Sequence, residues 1–216
     1  FYEVTRRCVE RAHKLTPNHD RGGAYASSVE QRYKYATARC AEAYGIEVIA
    51  VCVMSNHMHE VLFDRRGEIS MFLQERNAML ANMVKVRYGL PSNVFDKPDG
   101  TYNRLEGTTA IADKIAYAMA NPVEAGLVAS PKEWPGMISA VEDLFGASTP
   151  VKRPREYLAQ DDKTNAPTVK FRIGAPKEAV ELFGSVTEMA TQVATHLCKK
   201  IKAARRRHSG RFAGRL

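Results

Sequence analysis

Two apolar runs set close together around a short polar turn constrain this chain more than any other feature. Val48-Ile49-Ala50-Val51-Cys52-Val53-Met54 leads into Ser55-Asn56-His57-Met58-His59-Glu60, and Val61-Leu62-Phe63 follows. Short runs rich in β-branched residues read as strands. A tight turn near Ser55-Asn56 makes the two runs neighbours in an antiparallel sheet. Side chains alternate between faces along a strand, so His57 and His59 share one face while Met58 and Glu60 take the other. Two imidazoles side by side on rigid backbone form half of a metal site, and the remaining donors must come from elsewhere in the chain.

The flanking patterns supply the other elements. Phe1 to Val9 carries Tyr2, Val4 and Cys8 at alternating spacing and predicts a first strand, with Arg6, Arg7 and Arg11 on it or just after it. Arg6 and Arg7 fall on opposite faces, so at most one can share the histidine face. Thr16 to Gly23 reads as a loop. A helix is expected from Ser27 or Ser28 to Tyr44. Ser27 and Glu30 form a capping-box pattern, and Gly45 is the stop. A second helix starts after Gly67 and ends near Tyr88-Gly89. Ser92 to Leu105 is weakly patterned and reads as a poor hairpin or an edge strand. Thr108 to Ala120 predicts a third helix, broken by Asn121-Pro122. The order strand, helix, strand, strand, helix, strand, helix predicts an α+β fold of ferredoxin-like (split βαβ) type. It is an antiparallel sheet with helices on one face and the other face open.

This organised region is expected to span residues 1–148. Thr149 to Pro167 is polar, contains Pro150, Pro154 and Pro167, and reads as a linker. A helical, basic extension over residues 168–216 follows. In it, Ser185 and Glu188 form a second capping box, and Val186, Met189, Val193, Leu197 and Ile201 keep helical spacing. Of 32 basic residues, eight lie from Met189 onward with no acidic residue among them, and the other 24 balance the 24 acidic residues. The pI of 9.4 therefore mostly describes this segment. Lys199, Lys200, Arg205, Arg206 and Arg207 make it either a polyanion-binding arm or a solvated end. Cys8, Cys40, Cys52 and Cys198 lie far apart with no CxxC pair. That excludes a zinc ribbon and fits a reducing compartment. No apolar run is long enough to span a bilayer. The first residue is Phe rather than Met, which leaves room for a longer natural chain.

Tyr117 and Asn121 are four residues apart and share a helix face. If that face packs over the His57/His59 strand, two imidazole nitrogens and an amide oxygen converge on one cation, with a phenol alongside. A divalent ion there polarises a phosphodiester, and a phenol is both a usable nucleophile and a usable leaving group. Nitrogen and oxygen donors together suit Mn²⁺ well and Mg²⁺ acceptably. Each residue also has a plainer role: HxH as two ordinary histidines, Tyr117 as packing, Asn121 as the cap of a short helix begun by Pro122.

The pattern resembles the single-tyrosine HUH (His-hydrophobic-His) transposases, particularly their REP-associated branch. The matching pieces are Val4-Thr5-Arg6-Arg7-Cys8, Met54 to His59, Tyr117-Ala118-Met119-Ala120-Asn121-Pro122-Val123-Glu124-Ala125-Gly126-Leu127-Val128, and Glu133-Trp134-Pro135-Gly136. They cover residues 1 to about 140 in family order. The resemblance implies a divalent metal, Mg²⁺ or Mn²⁺, held by His57, His59 and Asn121. It implies Tyr117 as nucleophile, a 5′-phosphotyrosine intermediate, and single-stranded DNA hairpins or palindromes as substrate. Arg6, Arg7, Arg11 and the basic extension are expected to contact the nucleic acid. The expected setting is the bacterial cytoplasm in association with the nucleoid, as a monomer or homodimer with no membrane partner. Whether Tyr117 completes its own site or a partner's stays open. Glu60 departs from the family pattern. Two other readings compete: a hairpin-binding protein without catalysis, and a hydrolase using a His-bound metal and water.

Overall fold

The computed structural model describes residues 1–17, 27–96, 101–157 and 166–214. Strand β1 (Tyr2–Arg7) is followed by helix α1 (Val29–Tyr44), strands β2 (Ile46–Val53) and β3 (His57–Asp64), helix α2 (Ile69–Tyr88), strand β4 (Thr101–Arg104) and helix α3 (Thr108–Glu124). The four strands form one antiparallel sheet in the order β2-β3-β1-β4. This is the α+β, split βαβ arrangement that the element order predicts. Beyond it come β5 (Ala147–Lys152), β6 (Thr168–Ile173), α4 (Lys177–Phe183) and α5 (Val186–Arg207).

Local chemistry fixes the element ends. Ser28, rather than Ser27, caps α1: its hydroxyl accepts from the Gln31 N–H at 3.0 Å. Gly45 closes α1 at φ 65°, a left-handed conformation that favours glycine. Both carboxylate oxygens of Asp64 accept backbone N–H groups from residues 66 to 69 and so start α2 from the end of β3. The weak pattern before Leu105 is an edge strand paired with β1, and the Pro98-Asp99-Gly100 turn lies outside the described residues.

Both faces of the sheet carry helices, so the open face expected from sequence is partly covered. On one face, Val4, Met58 and Leu62 share a core with α1 and α2. On the other, Ile111, Ala112, Ile115, Ala116 and Met119 of α3 pack on Ile49, Ala50 and Val61. The alanines allow close approach of α3 to the strands. Helix α5 backs α3 through Met189, Ala190 and Val193. What stays open is a groove of about 530 Å³ over β1 and β4, with Glu3, Thr5, His59 and Tyr117 among its walls.

Two further readings are corrected. The stretch read as a linker begins within β5, which pairs in full register with β6. Phe171, Ile173 and Val151 enter the α1/α2 core. Three prolines and a single buried apolar residue, Val151, hid this strand from a periodicity reading; residues 158–165 lie outside the described part. Helix α3 also runs through Pro122 to Glu124 instead of breaking at Asn121. A proline in the last turn removes only one backbone donor, and the end is closed by N–H groups of Ala125, Gly126 and Leu127.

Candidate active site

Strand pairing assembles the first layer of the site. In the β1/β3 register, Thr5 lies opposite His59 and Arg7 opposite His57, so all four side chains emerge on one face. The Thr5 hydroxyl is 3.0 Å from His59 Nδ1, and Asn56 Oδ1 is 2.6 Å from His57 Nδ1. The two imidazoles meet edge to face with centroids 4.9 Å apart.

Helix α3 supplies the second layer within the same chain. The Tyr117 ring stands edge-on to His59 with centroids 5.1 Å apart. One turn on, Asn121 is buried and lies near enough to His57 to act on its ring. The alternative role of Asn121 as cap of a new helix is removed by the continuity of α3, and its side chain lies beside His57 instead.

Burial drives His57 below the ordinary imidazole range, against the opposing pull of the neighbouring Asn121 carboxamide and with help from nearby Arg7. Burial, then the charges of His57, Arg7 and Lys114, takes His59 down to about 3. Both rings are therefore neutral at physiological pH and each offers a lone pair. Among the described residues no group of three or more His, Cys, Asp or Glu side chains could hold a metal ion, so a third protein donor here would be an oxygen such as the Asn121 amide. Two neutral imidazoles, each with a polar partner at Nδ1, and an adjacent carboxamide fit a divalent cation.

The Tyr117 phenol is raised above its usual range by burial, then by Glu124 and Glu3, while Lys114 and Arg7 pull the other way. Two ammonium groups face its ring, Lys114 Nζ and Lys200 Nζ, each 5.6 Å from the centroid. Lys114 is tied to Glu3 at 2.9 Å and Lys200 to Asp113 at 2.9 Å. His196 also reaches Asp113, at 3.2 Å.

The site residues expected from sequence thus separate. His57, His59, Tyr117 and Asn121 come together. Arg7 and Arg11 are exposed beside His57 and line one pocket with it. Arg6, expected among the nucleic-acid contacts, does not fit that role: it is buried on the opposite face, at 4% exposure, with its guanidinium over the Phe95 ring. Lys200 turns inward onto Tyr117, and Arg205 donates twice to the Ala129 carbonyl. Lys199, Arg206 and Arg207 are exposed on α5. Sequence reasoning missed Thr5, Asn56 and Lys114. Lys114 stands three residues before Tyr117, a same-face spacing that was available to find it.

A pH effect on stability follows from His59. Its folded-state pKa of about 3 lies below the unfolded value near 6.5. The neutral, buried ring therefore contributes its full stability above about pH 6.5, and that contribution is lost as pH falls toward 3. The slope from this residue is at most about 1.4 kcal/mol for each unit of pH. Urea denaturation between pH 7 and pH 4 checks it. His59→Gln is expected to flatten the acid limb, and an identical limb in both proteins rejects the assignment.

The basic extension is docked onto the domain rather than free. Ala204, Ile201 and Phe212 pack into a cluster with Val123, Val128 and Trp134, and His208 Nε2 donates to the Glu124 carbonyl at 2.9 Å. Removing residues 199–216 would therefore strip core contacts as well as charge. Lys199, Lys202 and Arg206 are exposed and lie on one helical face of α5. Replacing all three with Gln is expected to leave stability within about 0.5 kcal/mol. For single-stranded DNA the same change should lower the salt slope of binding by up to about 2. An unchanged slope in a filter-binding titration reduces this face to a solvated surface.

No family model matches the chain, nor does any curated protein sequence. The solved structure of a REP-associated tyrosine transposase bound to a REP hairpin is similar to it, with a TM-score of 0.52 and 18% identity, over 74% of this chain and 85% of that one. At that identity the likeness is one of fold. Among the described residues no helix is long and apolar enough to cross a membrane.

Proposed function

We propose that this protein cuts and rejoins single-stranded DNA through Tyr117, with a divalent cation, Mg²⁺ or Mn²⁺, held by His57, His59 and Asn121. The observation that carries the reading is the edge-on approach of Tyr117 to His59 within one chain, 5.1 Å between centroids. Fold similarity to a transposase structure that contains a DNA hairpin favours hairpin or palindromic DNA as substrate.

A bound divalent cation would polarise the phosphodiester and offset the charge that grows on its oxygens. The chain's own residues do the rest. Tyr117 Oη attacks phosphorus in line, the new Tyr–O–P bond forms, and the P–O3′ bond breaks. The phenolic proton is lost and the departing 3′ oxygen takes one up, so the products are a 5′-phosphotyrosine and a free 3′-hydroxyl. The half-buried phenol is protonated at neutral pH, and the ammonium groups of Lys114 and Lys200 favour its anionic form during attack. Attack by a 3′-hydroxyl on the phosphotyrosine reverses the sequence. One ester is exchanged for another, so rejoining needs no ATP.

The test is a labelled single-stranded hairpin incubated with the protein and Mn²⁺. A denaturation-resistant protein–DNA adduct is expected, and EDTA should abolish it. Binding without any adduct would instead support a hairpin-binding protein that lacks catalysis. Cleavage without an adduct would point to water as the nucleophile.

A further inference from the structure

We propose that Asn56 is a positioning residue whose single carboxamide both sets the tautomer of His57 and holds Arg11 over a phosphodiester-binding pocket beside that histidine. The proposal rests on the reading of the site as a metal-dependent one that handles DNA.

The hydrogen-bond directions leave one assignment. Asn56 Nδ2 donates to the Arg11 carbonyl at 3.1 Å. A carbonyl oxygen only accepts, so the amide nitrogen must face Arg11 and the amide oxygen must face His57. That oxygen, 2.6 Å from His57 Nδ1, also only accepts. His57 Nδ1 therefore carries the ring proton, and Nε2 keeps its lone pair. An outer partner of this kind fixes both the tautomer and the orientation of a ligating histidine.

The other end of the carboxamide grips a strained turn. Glu10 and Arg11 are consecutive non-glycine residues at φ 55° and φ 53°, a left-handed conformation that L side chains rarely adopt and that must be held by its surroundings. The Arg11 N–H donates to the Cys8 carbonyl at 3.0 Å, and the Cys8 N–H donates to the Asn56 carbonyl at 2.8 Å. Asn56 thus holds both limbs of the turn, one through its backbone and one through its side chain. The turn delivers Arg11 to a pocket of about 240 Å³ lined by Arg7, Arg11, Asn56 and His57. Among the described residues neither guanidinium has a carboxylate partner. Two exposed guanidinium groups beside a neutral imidazole suit a phosphate oxyanion, which each can bind through paired N–H donors. Arg7 and Arg11 are assigned to a phosphodiester of the strand that runs past His57.

Three single variants and one double variant test both ends. By ¹⁵N NMR of the ring, wild-type His57 is expected as the Nδ1–H tautomer, Asn56→Ala should lose that preference, and Asn56→Asp should keep it. Calorimetry with Mn²⁺ alone should show roughly 10–100-fold weaker binding for Asn56→Ala and near wild-type binding for Asn56→Asp. For a single-stranded hairpin oligonucleotide in EDTA, Arg11→Ala and Asn56→Ala should each lower affinity and reduce the salt slope by about 1. Arg11→Ala should then cost nothing further in the Asn56→Ala background. An unchanged tautomer with unchanged Mn²⁺ affinity in Asn56→Ala overturns the first role. Fully additive losses, or no loss for Arg11→Ala, overturn the second. None of these readouts requires cleavage, so a wild type that shows them but forms no adduct defeats the proposed reaction and leaves the role of Asn56 standing.

Discussion

Tyr117→Phe is expected to abolish the covalent protein–DNA adduct, by on the order of 10³-fold or more, while leaving hairpin affinity within about twofold. The substitution is nearly silent for packing. The phenyl ring keeps its edge contact with His59 and its contacts with the Lys114 and Lys200 ammonium groups. Only the hydroxyl is lost, and the side chain is half-buried, so stability should change by about 1 kcal/mol or less. The loss of reaction has no such cushion. In the proposed reaction Tyr117 supplies the only hydroxyl that α3 presents beside the His59 ring among the described residues, and Thr5 is committed to His59 Nδ1 at 3.0 Å. Denaturing gel analysis of labelled hairpin with Mn²⁺ separates the outcomes. An adduct that persists in Tyr117→Phe assigns the attack to another residue. Strand cleavage that persists without an adduct assigns it to water.

The central constellation was legible because its spacing rules are local. Alternation on β3 puts His57 and His59 on one face, and the four-residue interval in α3 puts Tyr117 and Asn121 on another, without any knowledge of tertiary structure. The join between the two came from resemblance, and the packing of α3 on the sheet is what makes it physical. Three features were out of reach for periodicity. Arg6 and Arg7 were known to lie on opposite faces, but only the sheet order shows which face meets the histidines. Strand β5 carries Pro150 and one buried apolar residue, so it reads as linker until β6 pairs with it. The basic extension reads from sequence as either a solvated tail or a DNA arm. It is divided: Lys200 sits against Tyr117, Arg205 ties down the Ala129 carbonyl, and Lys199, Lys202 and Arg206 remain exposed. A charge count cannot make that division, because it depends on which turn of α5 meets α3.

Glu60→Gln is expected to cost about 3–5 kcal/mol of stability, a fall of roughly 6–20 °C in Tm for a chain of this size. Glu60 alternates with the two histidines on β3 and so points into the opposite core, where it is 1% exposed. Arg76 of α2, fully buried, meets it with both terminal nitrogens, at 2.6 and 2.7 Å, and the Tyr33 hydroxyl of α1 donates to the same carboxylate. Burial works against the Arg76 charge, and the Glu60 carboxylate outweighs it and raises the guanidinium above its usual range. Removing one partner leaves the other as an uncompensated charge in a dry core, which is why a nearly isosteric change has so large an effect. Replacing both charges with apolar groups, as in Glu60→Leu with Arg76→Met, should recover most of the loss. Chemical denaturation of the wild type and the two variants decides the matter, and a single-variant cost below about 1 kcal/mol rejects it. The same pair bears on the proposed metal site. A one-residue slip of β3 would turn His57 and His59 into the α1/α2 core, and a bidentate tie from Glu60 to α2 opposes that slip. The double apolar variant, stable but untied, should therefore bind Mn²⁺ more weakly than wild type, whereas equal affinity would confine the pair to a role in stability.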